Sequence, residues 1–576
     1  MLLFNDHLAS DLGWDFSGID QTQLTAIFSG NSLPESSVPI SQAYAGHQFG
    51  HFTMLGDGRA VILGEWVIQN EPAPQGYHLG KKASNVIEKN SGKNVPKTHG
   101  NLSVNYAHKE SDEYGGNRYD IQLKGSGITP YSRQGDGRST LRSVLREYLM
   151  SEAMHHLGIP TTRSLAVVTT GETVYREVPH EGAVLTRVAS SHIRVGTFEY
   201  VNRFLGQEEL KRFTRYVIKR HYPELMDAEN PALELLKAVA NRQIRLITEW
   251  MRVGFIHGVM NTDNMSIPGE TIDYGPCAFM NGYDPHTVFS SIDVQGRYRF
   301  SNQPIVAQWN LTVFAGTLLG LVHKDRDKAI EMMQEVIDGL ASDFERQWYA
   351  MMSAKLGLWL PENEVQQAGA ESEKTDQQVG PGWVKGAWGK QVLPEPDPAD
   401  RKLIDDLLSW MEKNRADYTS TFLALQNQEV LSEKTYQQTD FQHWYKSWIE
   451  RISAVGKTAG LEALGECEID EDGKTAGIGR IEGGEGSEGS KLLSRPSGSD
   501  AIKEARTRMI RQNPVFIPRN HLVEEALDVA TIHHDMSPLN QLLGQLTHPY
   551  RESFRAGDLQ EVPEGYDRTY QTFCGT

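Results

Sequence analysis

Residues 257–275 combine side chains that could hold a metal ion beside a reactive phosphate. The segment HGVMNTDNM, residues 257–265, contains Asp263 and Asn264, and Asp273 follows in TIDYGP. Amide and carboxylate oxygens are hard ligands that suit magnesium or manganese bridging phosphate groups. The sequence therefore predicts a metal site at Asn264 and Asp273. Asp263 is a candidate general base, although an ordinary loop Asp that caps backbone N–H groups would look the same.

The same segment is typical of the catalytic loop of protein kinases, with one residue changed. Kinases have His-x-Asp, an Asn five residues after that Asp, and a later Asp-Phe-Gly. Here Val259 stands where the kinase Asp would receive the substrate proton, while Asn264 and Asp273 keep the two metal positions. Both metal ligands are therefore retained and the usual base is missing.

Two charged residues upstream have the order found in kinases. Lys124 ends a predicted strand and could supply positive charge to phosphate oxygens, and Glu147 in a predicted helix would hold its ammonium group in place. Each alone would most often be an exposed surface residue. Their order along the chain, after a Gly-rich hairpin and before the loop at 257–264, favours a nucleotide site.

Other candidates for nucleotide contact lie outside these motifs. Arg187 and Arg194 in LTRVASSHIRVGTFEY could grip a triphosphate through their guanidinium groups, although surface charge is the ordinary explanation. The remaining candidates lie in GDGRA and SRQGDGRST: Gly56, Gly58, Arg59, Asp136 and Gly137.

The elements that must position these residues can be predicted from hydrophobic periodicity. The β-prone segments are 44–69 with Gly-rich turns, 118–124, 164–177 and 182–189, with a turn at Thr170-Gly171. The helical segments are 139–157, 231–251, 304–324, 327–356 and 399–425, and Pro231 suits a first helical turn. Order resumes late in the chain at 506–527.

These elements predict an α+β, protein-kinase-like fold with two lobes. Residues 1–200 would form a mixed N-terminal lobe with a long loop insertion at 70–117, and residues 201–455 a mostly helical lobe that carries the metal loop. Residues 456–500 are acidic, Gly-rich and predicted to be disordered. Residues 501–576 would form a C-terminal helical extension.

Composition narrows the class of protein. The chain has 576 residues and a net charge of −18, which argues against a nucleic-acid partner. Its cysteines, Cys277, Cys467 and Cys574, are too widely spaced for a disulfide framework or a Cys-based zinc site, so we expect a reducing cytoplasmic compartment. The N-terminus lacks the pattern of a secretory signal, and the apolar stretch 311–322 is too short to span a bilayer, so we expect no membrane partner.

Several long motifs together resemble the selenoprotein O family from about residue 40 to residue 550. They are YAGHQFG, GDGRA, IQLKGSGITPYSRQGDGRS, LREYLMSEAMHHLGIPTTRSL, LTRVASSHIRVGTFE, HGVMNTDNMS, TIDYGP and NPVFIPRNHL. The resemblance implies a kinase-like fold in which ATP is flipped. It also implies transfer of AMP from ATP to Ser, Thr or Tyr hydroxyls of proteins with release of pyrophosphate. Mg²⁺ or Mn²⁺ is the implied cofactor, and UMP transfer from UTP with manganese is an extension of the same expectation.

The resemblance also assigns roles to residues. It implies Asp263 as the base, Asn264 and Asp273 as metal ligands, and Lys124 paired with Glu147. It implies phosphate contacts for Arg187 and Arg194, and nucleotide contacts for Gly56, Gly58, Arg59, Asp136, Gly137 and Asp273. A flipped nucleotide presents its α-phosphate to the acceptor, which would explain why Val259 can replace the kinase Asp.

The chain departs from the family pattern at the two insertions, 70–117 and 456–500. Many members have a redox-active Cys or selenocysteine near the C-terminus, which Cys574 matches, but Ser290 and Ser291 stand where some bacterial members have a Cys. Cys277 is expected to be a buried apolar residue. Two other functions remain open: a divergent kinase that transfers the γ-phosphate with Asp263 as base, and a non-catalytic nucleotide-binding scaffold.

Overall fold

The computed structural model describes residues 1–358, 395–462, 498–551 and 561–573, apart from positions 17, 69–116, 430, 431 and 433. The insertion predicted at 70–117 lies outside these residues except for its last position. Cys467 and Cys574 also lie outside them, so the match of Cys574 to the family's redox-active position rests on the sequence alone.

A mixed sheet-and-helix region forms the first part of the chain. Its elements are β1 (Leu3–Phe4), α1 (Asp6–Asp11), α2 (Gln21–Phe28), β2 (Ala45–Gln48), β3 (His51–Met54), β4 (Ala60–Ile68), β5 (Asn117–Lys124), β6 (Ser139–Thr140), α3 (Leu141–His156), β7 (Arg163–Tyr175) and β8 (Pro179–Ala189). Six described strands form one antiparallel sheet in the order β1-β7-β8-β5-β4, with β6 paired to β8. The separate hairpin β2–β3 is also antiparallel.

The sheet is buried on both faces because successive apolar side chains of its strands point to opposite faces. On one face Leu123, Leu165 and Val184 pack in a core with residues of α1 and α2. On the other, Val167 and Leu185 pack with the apolar face of α3. The predicted strand at 118–124 and helix at 139–157 are both confirmed.

The rest of the chain is mostly helical. Its elements are α4 (Val195–Phe204), α5 (Gln207–His221), α6 (Pro231–Arg252), β9 (Phe255–Ile256), β10 (Ala278–Phe279), α7 (Gln303–Val322), α8 (Arg326–Lys355), α9 (Pro398–Asn414), α10 (Tyr418–Asn427), α11 (Thr439–Glu462), α12 (Gly498–Ile510), α13 (Asn520–Ile532), α14 (Ser537–Leu546) and α15 (Tyr566–Thr569). Pro231 occupies the first turn of α6 as predicted, and the Asn230 side chain caps the N–H of Leu233 at 3.2 Å.

Helix α6 leads into the segment that carries the metal motif. It packs against α7 and α8, and the short strands β9 and β10 bracket residues 257–277. Within this bracket Thr262–Asn264 form one turn of 3₁₀ helix. The stretch Phe300–Val322 is, among the described residues, the single helix long and apolar enough to cross a membrane, and half of its apolar window is buried inside the protein.

Three sequence predictions are wrong in detail. Strand β7 continues through the turn expected at Thr170-Gly171, where a bulge places Gly171 at φ 72°, and the chain reverses after Tyr175. The helix predicted at 399–425 is two helices, because Arg415 is left-handed with φ 48°. The stretch 456–500 is not irregular at its ends, since α11 continues to Glu462 and α12 starts at Gly498.

Candidate active site

A cavity of about 350 Å³ brings together almost all of the predicted site residues. Of the predicted residues, it is lined by Gly56, Gly58, Arg59, Lys124, Asp136, Gly137, Arg187, Arg194, Asp263, Asn264 and Asp273. These residues come from β4, β5, β8 and their loops on one side and from residues 263–273 on the other. The sheet and the helical part of the chain therefore each contribute one wall.

Glu147 does not line the cavity but lies behind it and holds two of its cations. Its Oε2 accepts a hydrogen bond from Lys124 Nζ at 2.5 Å, and its Oε1 accepts one from Arg187 Nε at 2.8 Å. Burial raises the pKa of Glu147, but Arg187 and Lys124 outweigh burial and lower it. The predicted pairing of Lys124 with Glu147 is thus present. Arg187, which also donates to Gln122, would have to leave Glu147 to grip a phosphate through both arms.

Asp273 is an ionised carboxylate in a constrained backbone conformation. Burial raises its pKa, but the charges of Lys124 and Arg187 lower the pKa to about 2. Lys124 Nζ lies 3.7 Å from Asp273 Oδ1, and the Asp273 side chain is 34% exposed. Its φ of 69° is unusual for a residue with a Cβ, and such strain is concentrated at functional sites.

The donor set fits a hard divalent cation. Asn264 donates its side-chain N–H to the carbonyl of Val259 at 3.0 Å, which leaves the amide oxygen as the atom available to a metal. With Asp273 this makes two oxygen ligands, and no group of three His, Cys, Asp or Glu side chains with metal-binding geometry occurs in the part of the chain that the structure describes. Magnesium commonly binds few protein ligands and takes the rest from phosphates and water, so the residues fit it.

The pKa of Asp263 differs from that of Asp273 because the charge of Arg194 does not outweigh the burial of the Asp263 carboxyl. The residue is 8% exposed, and its Oδ1 is buried without a hydrogen-bond partner. Burial raises its pKa to about 6, although the charge of Arg194 lowers it. A carboxylate that titrates close to neutral pH can accept a proton and release it again, which is the property a general base needs.

Arg194 supplies a further buried positive charge to the cavity. Its Nη2 lies 3.6 Å from Asp57 Oδ1, and its guanidinium carbon lies 4.2 Å from the centre of the Tyr44 ring. Its Nε is buried without a hydrogen-bond partner. An unpaired buried donor is costly in free energy.

The Gly-rich loops form the rim of the cavity, where they lie very close to residues 127–131. A Cβ on Gly56 would lie 2.3 Å from the Tyr131 ring, and one on Gly137 would lie 2.1 Å from the carbonyl oxygen of Gly127. Both glycines also have positive φ angles, so a side chain is excluded twice at each position. Asp136 is held by Arg176 through bonds of 2.8 and 3.0 Å, which lower the pKa of the Asp136 carboxyl.

Sequence reasoning missed Tyr44, Asp57 and Arg176, which all line the same cavity. Asp57 stands between two predicted glycines in GDGRA, and Tyr44 starts YAGHQFG, so both belonged to motifs whose individual polar residues were not assigned. Arg176 lies at the end of β7 in no motif. Cys277 is buried, as predicted, and its thiol donates to the carbonyl of Tyr274.

Comparison with known proteins identifies the family of the chain. A family model described as "Protein adenylyltransferase SelO" matches residues 1–85 and 102–547. A relative from Nitrosococcus oceani named "Protein nucleotidyltransferase YdiU" is 42% identical, with 100% of this chain and 92% of the relative covered. Relatives with the same name from Anoxybacillus flavithermus and Pelagibacter ubique are 42% and 40% identical, each with 94% of the relative covered. The family expected from the motifs is thereby confirmed: the chain belongs to the SelO family of protein adenylyltransferases and is a nucleotidyltransferase.

Proposed function

We propose that this protein transfers AMP from ATP to Ser, Thr or Tyr hydroxyls of other proteins and releases pyrophosphate. The two walls of the cavity act in this proposal as the two lobes of a kinase-like fold, with the nucleotide flipped relative to kinases. The same chemistry extends to UMP transfer from UTP with manganese, because the charged residues described above would contact the phosphate groups and not the nucleobase. Family membership and the geometry of residues 259–273 support the proposal.

The observation that carries the proposal is that Val259 occupies the position of the kinase base, while Asp263 lies nearby. The Val259 side chain has no group that could accept a proton, so this position, which holds the base in kinases, contributes only the backbone carbonyl that accepts the hydrogen bond from Asn264. Asp263 supplies a carboxyl at a different place in the same wall, with a pKa raised by burial to about 6. Displacement of the base is what a flipped nucleotide requires, since the phosphate to be attacked is then no longer the γ-phosphate.

Asn264 and Asp273 would hold Mg²⁺ or Mn²⁺. When bound, such an ion supplies positive charge to phosphate oxygens and to a leaving pyrophosphate. Asp273 is suited to this role because its low pKa keeps it ionised at neutral pH.

The reaction follows from the remaining side chains. Asp263 takes the proton of the acceptor hydroxyl, and the acceptor oxygen forms a bond to the α-phosphorus. The bond from the α-phosphorus to the bridging oxygen breaks, and pyrophosphate leaves with the electron pair. Lys124 and Arg194 stabilise the negative charge that develops, and their fixed partners, Glu147 and Asp57, keep them in place without the substrate.

The proposal is tested by labelling ATP separately at the α- and γ-phosphates and following label into protein with magnesium or manganese. We expect incorporation from the α-position only, and its loss in Asp273→Ala. Asp227→Ala, which removes an exposed carboxylate in the turn between α5 and α6, is the matched control and should keep wild-type incorporation. Label from the γ-position would overturn AMP transfer in favour of a kinase, and nucleotide binding without any incorporation would favour a scaffold.

A further inference from the structure

The hairpin β2–β3 lies directly against the loop that carries the proposed base. A Cβ on Gly46 would lie 2.6 Å from Asp263 Oδ1, and one on Gly196 would lie 2.0 Å from the carbonyl oxygen of Ala45. Neither glycine has a positive φ angle, so close approach is the reason for glycine at both positions. The hairpin, helix α4 and the turn at 262–264 therefore lie so close together that a residue larger than glycine would not fit at position 46 or 196.

A polar junction formed by His47, Glu199 and Thr262 fastens these three elements together. The hydroxyl of Thr262 donates to Glu199 Oε2 at 2.5 Å and accepts the backbone N–H of His47 at 2.8 Å. The imidazole Nδ1 of His47 contacts the other oxygen of Glu199. Glu199 is 4% exposed and Thr262 is fully buried, so each partner that is removed leaves a buried polar group unpaired.

The junction acts on Asp263 through the chain, because Thr262 is its neighbour in the same 3₁₀ turn. On the other side of the hairpin segment, Tyr44 lies under the guanidinium of Arg194. The aromatic rings of Phe52 and Trp309 pack against the His47 ring at 5.6 and 5.4 Å and hold it toward Glu199. None of the three junction residues lines the nucleotide cavity.

We propose that His47, Glu199 and Thr262 are positioning residues that hold Asp263 in place for the transfer step. This inference rests on the proposed function for its catalytic consequence. Independently of that function, the junction keeps residues 259–265 ordered. Since none of the three junction residues lines the cavity, loss of the junction should slow transfer far more than it weakens nucleotide binding.

The test compares Thr262→Val, which removes the hydroxyl and keeps the shape of the side chain, with Thr262→Ser, which restores the hydroxyl. We expect Thr262→Val to lower kcat for AMP transfer on the order of 10²-fold, as small misplacements of a catalytic group do. KM for ATP should change much less than kcat, and Thr262→Ser should recover most of kcat. Full kcat in Thr262→Val, or an equal loss in Thr262→Ser, would overturn the proposal.

A second pair of variants tests the hairpin side of the junction. His47→Ala should lower kcat in the same way, and His47→Asn, whose amide can replace Nδ1 as a donor, should recover part of it. His51→Ala is the matched control, because His51 is an exposed histidine on the same hairpin and makes no contact with Glu199. A drop in kcat for His51→Ala as large as that for His47→Ala would overturn the specific role of the junction.

Hydrogen exchange separates this inference from the proposed function. Backbone amides of residues 259–265 should exchange faster in Thr262→Val than in the wild-type protein, whether or not any AMP is transferred. Faster exchange in Thr262→Val, combined with a wild-type protein that transfers no AMP, would contradict the proposed function and support the junction. Unchanged exchange would overturn the junction, even if AMP transfer is confirmed.

Discussion

At the residue scale, three acidic side chains in and beside the site differ in charge because their neighbours differ. Burial raises the pKa of Asp263 to about 6 and that of Glu270 to about 7, whereas the cations around Asp273 lower its pKa to about 2. The site therefore pairs a carboxylate that stays ionised with a carboxyl that titrates near neutrality. Two such groups with pKa values pushed apart are the usual basis for separating a binding role from a proton-transfer role.

AMP transfer should decrease as the pH falls through about 6, because Asp263 accepts a proton only in its ionised form. Initial rates measured from pH 5 to pH 8 at saturating ATP would show this dependence. In Asp263→Asn the rate should drop by about 10²–10⁴-fold, the usual range for loss of a general base. A variant that kept the wild-type rate and pH profile would contradict the assignment, and retained nucleotide binding would show that the variant is folded.

Glu270→Gln should stabilise the folded protein above neutral pH. Glu270 Oε1 accepts hydrogen bonds from the Ser190 hydroxyl at 2.5 Å and from the Ser190 backbone N–H at 3.4 Å, and a Gln oxygen in the same place can accept both. Because burial raises its folded pKa from 4.5 to about 7, the wild-type free energy of unfolding decreases as the pH rises from 4.5 to 7.

Chemical unfolding of both proteins at pH 5 and pH 8 would measure this effect. The variant should lack a pH-dependent loss on the order of 2–3 kcal/mol, at about 1.4 kcal/mol per pKa unit. Equal pH dependence in both proteins would mean that Glu270 is ionised at no cost in the folded state.

At the element scale, helix α3 connects the cavity to the C-terminal helices. Glu147 on α3 holds Lys124 and Arg187, while the preceding residue, Arg146, donates to Glu524 on α13 at 2.8 Å and to the carbonyl of Cys277 at 2.6 Å. One helix thus touches the cations of the site, the segment after Asp273 and the C-terminal part of the chain. Its position is determined by all three.

Glu524→Ala should lower the free energy of unfolding by about 1–3 kcal/mol, because the largely buried Arg146 would lose a charged partner. Arg142 would lose a partner as well, but its side chain is more exposed and counts for less. Glu525→Ala, at the next and exposed position of α13, is the control and should have little effect. Urea unfolding of the three proteins measures the difference, and equal values would show that the Arg146 contact does not stabilise the fold.

Periodicity was sufficient to predict elements whose buried face is continuous. The helix at 141–156 and the strand at 117–124 are examples, since their apolar residues recur at one spacing. It failed at Gly171 and at Arg415, where a single left-handed residue decides whether a strand bulges or a helix ends. A left-handed glycine fits a turn and a bulge equally well, so residues 170–171 alone could not distinguish them.

Motif order was sufficient to predict which residues meet in the cavity, but not every contact that these residues make. Lys124 with Glu147 and Asn264 with Asp273 follow from the order of the motifs. The contact of Arg187 with Glu147 and that of Arg194 with Tyr44 depend on strand register and loop packing, which no local pattern encodes. The junction at Glu199 was missed for the same reason, since its members are far apart in sequence.

At the scale of the whole molecule, segments from both ends of the described chain complete the structure around the site. Strand β1 pairs with β7 at one edge of the sheet. Residues 561–573 lie along the segment that follows Asp273, where Asp567 accepts hydrogen bonds from Asn281 Nδ2 at 2.6 Å and from the Gly282 N–H at 3.2 Å. Thr572 donates its hydroxyl to the carbonyl of Pro276 at 2.7 Å.

Asp567→Ala should release residues 561–573 from the core, because it leaves the Gly282 N–H and the Asn281 amide without their acceptor. Limited proteolysis should cut this segment faster in the variant than in the wild type. Glu564→Ala, an exposed residue in the same segment, should leave the cleavage rate unchanged. Equal cleavage of all three proteins would show that Asp567 does not anchor the segment.

The contacts of Thr572 also determine when, during synthesis, the segment that follows Asp273 can gain all of its hydrogen-bond partners. The backbone N–H of Thr572 donates to the carbonyl of Phe289 at 2.8 Å, so this carbonyl gains its partner only after almost the whole described chain has left the ribosome. The sheet and the early helices can fold as they emerge, since domains fold as units during translation. A nascent chain that ended before residue 561 would have a folded core, but the carbonyls of Pro276 and Phe289 would lack the Thr572 donors.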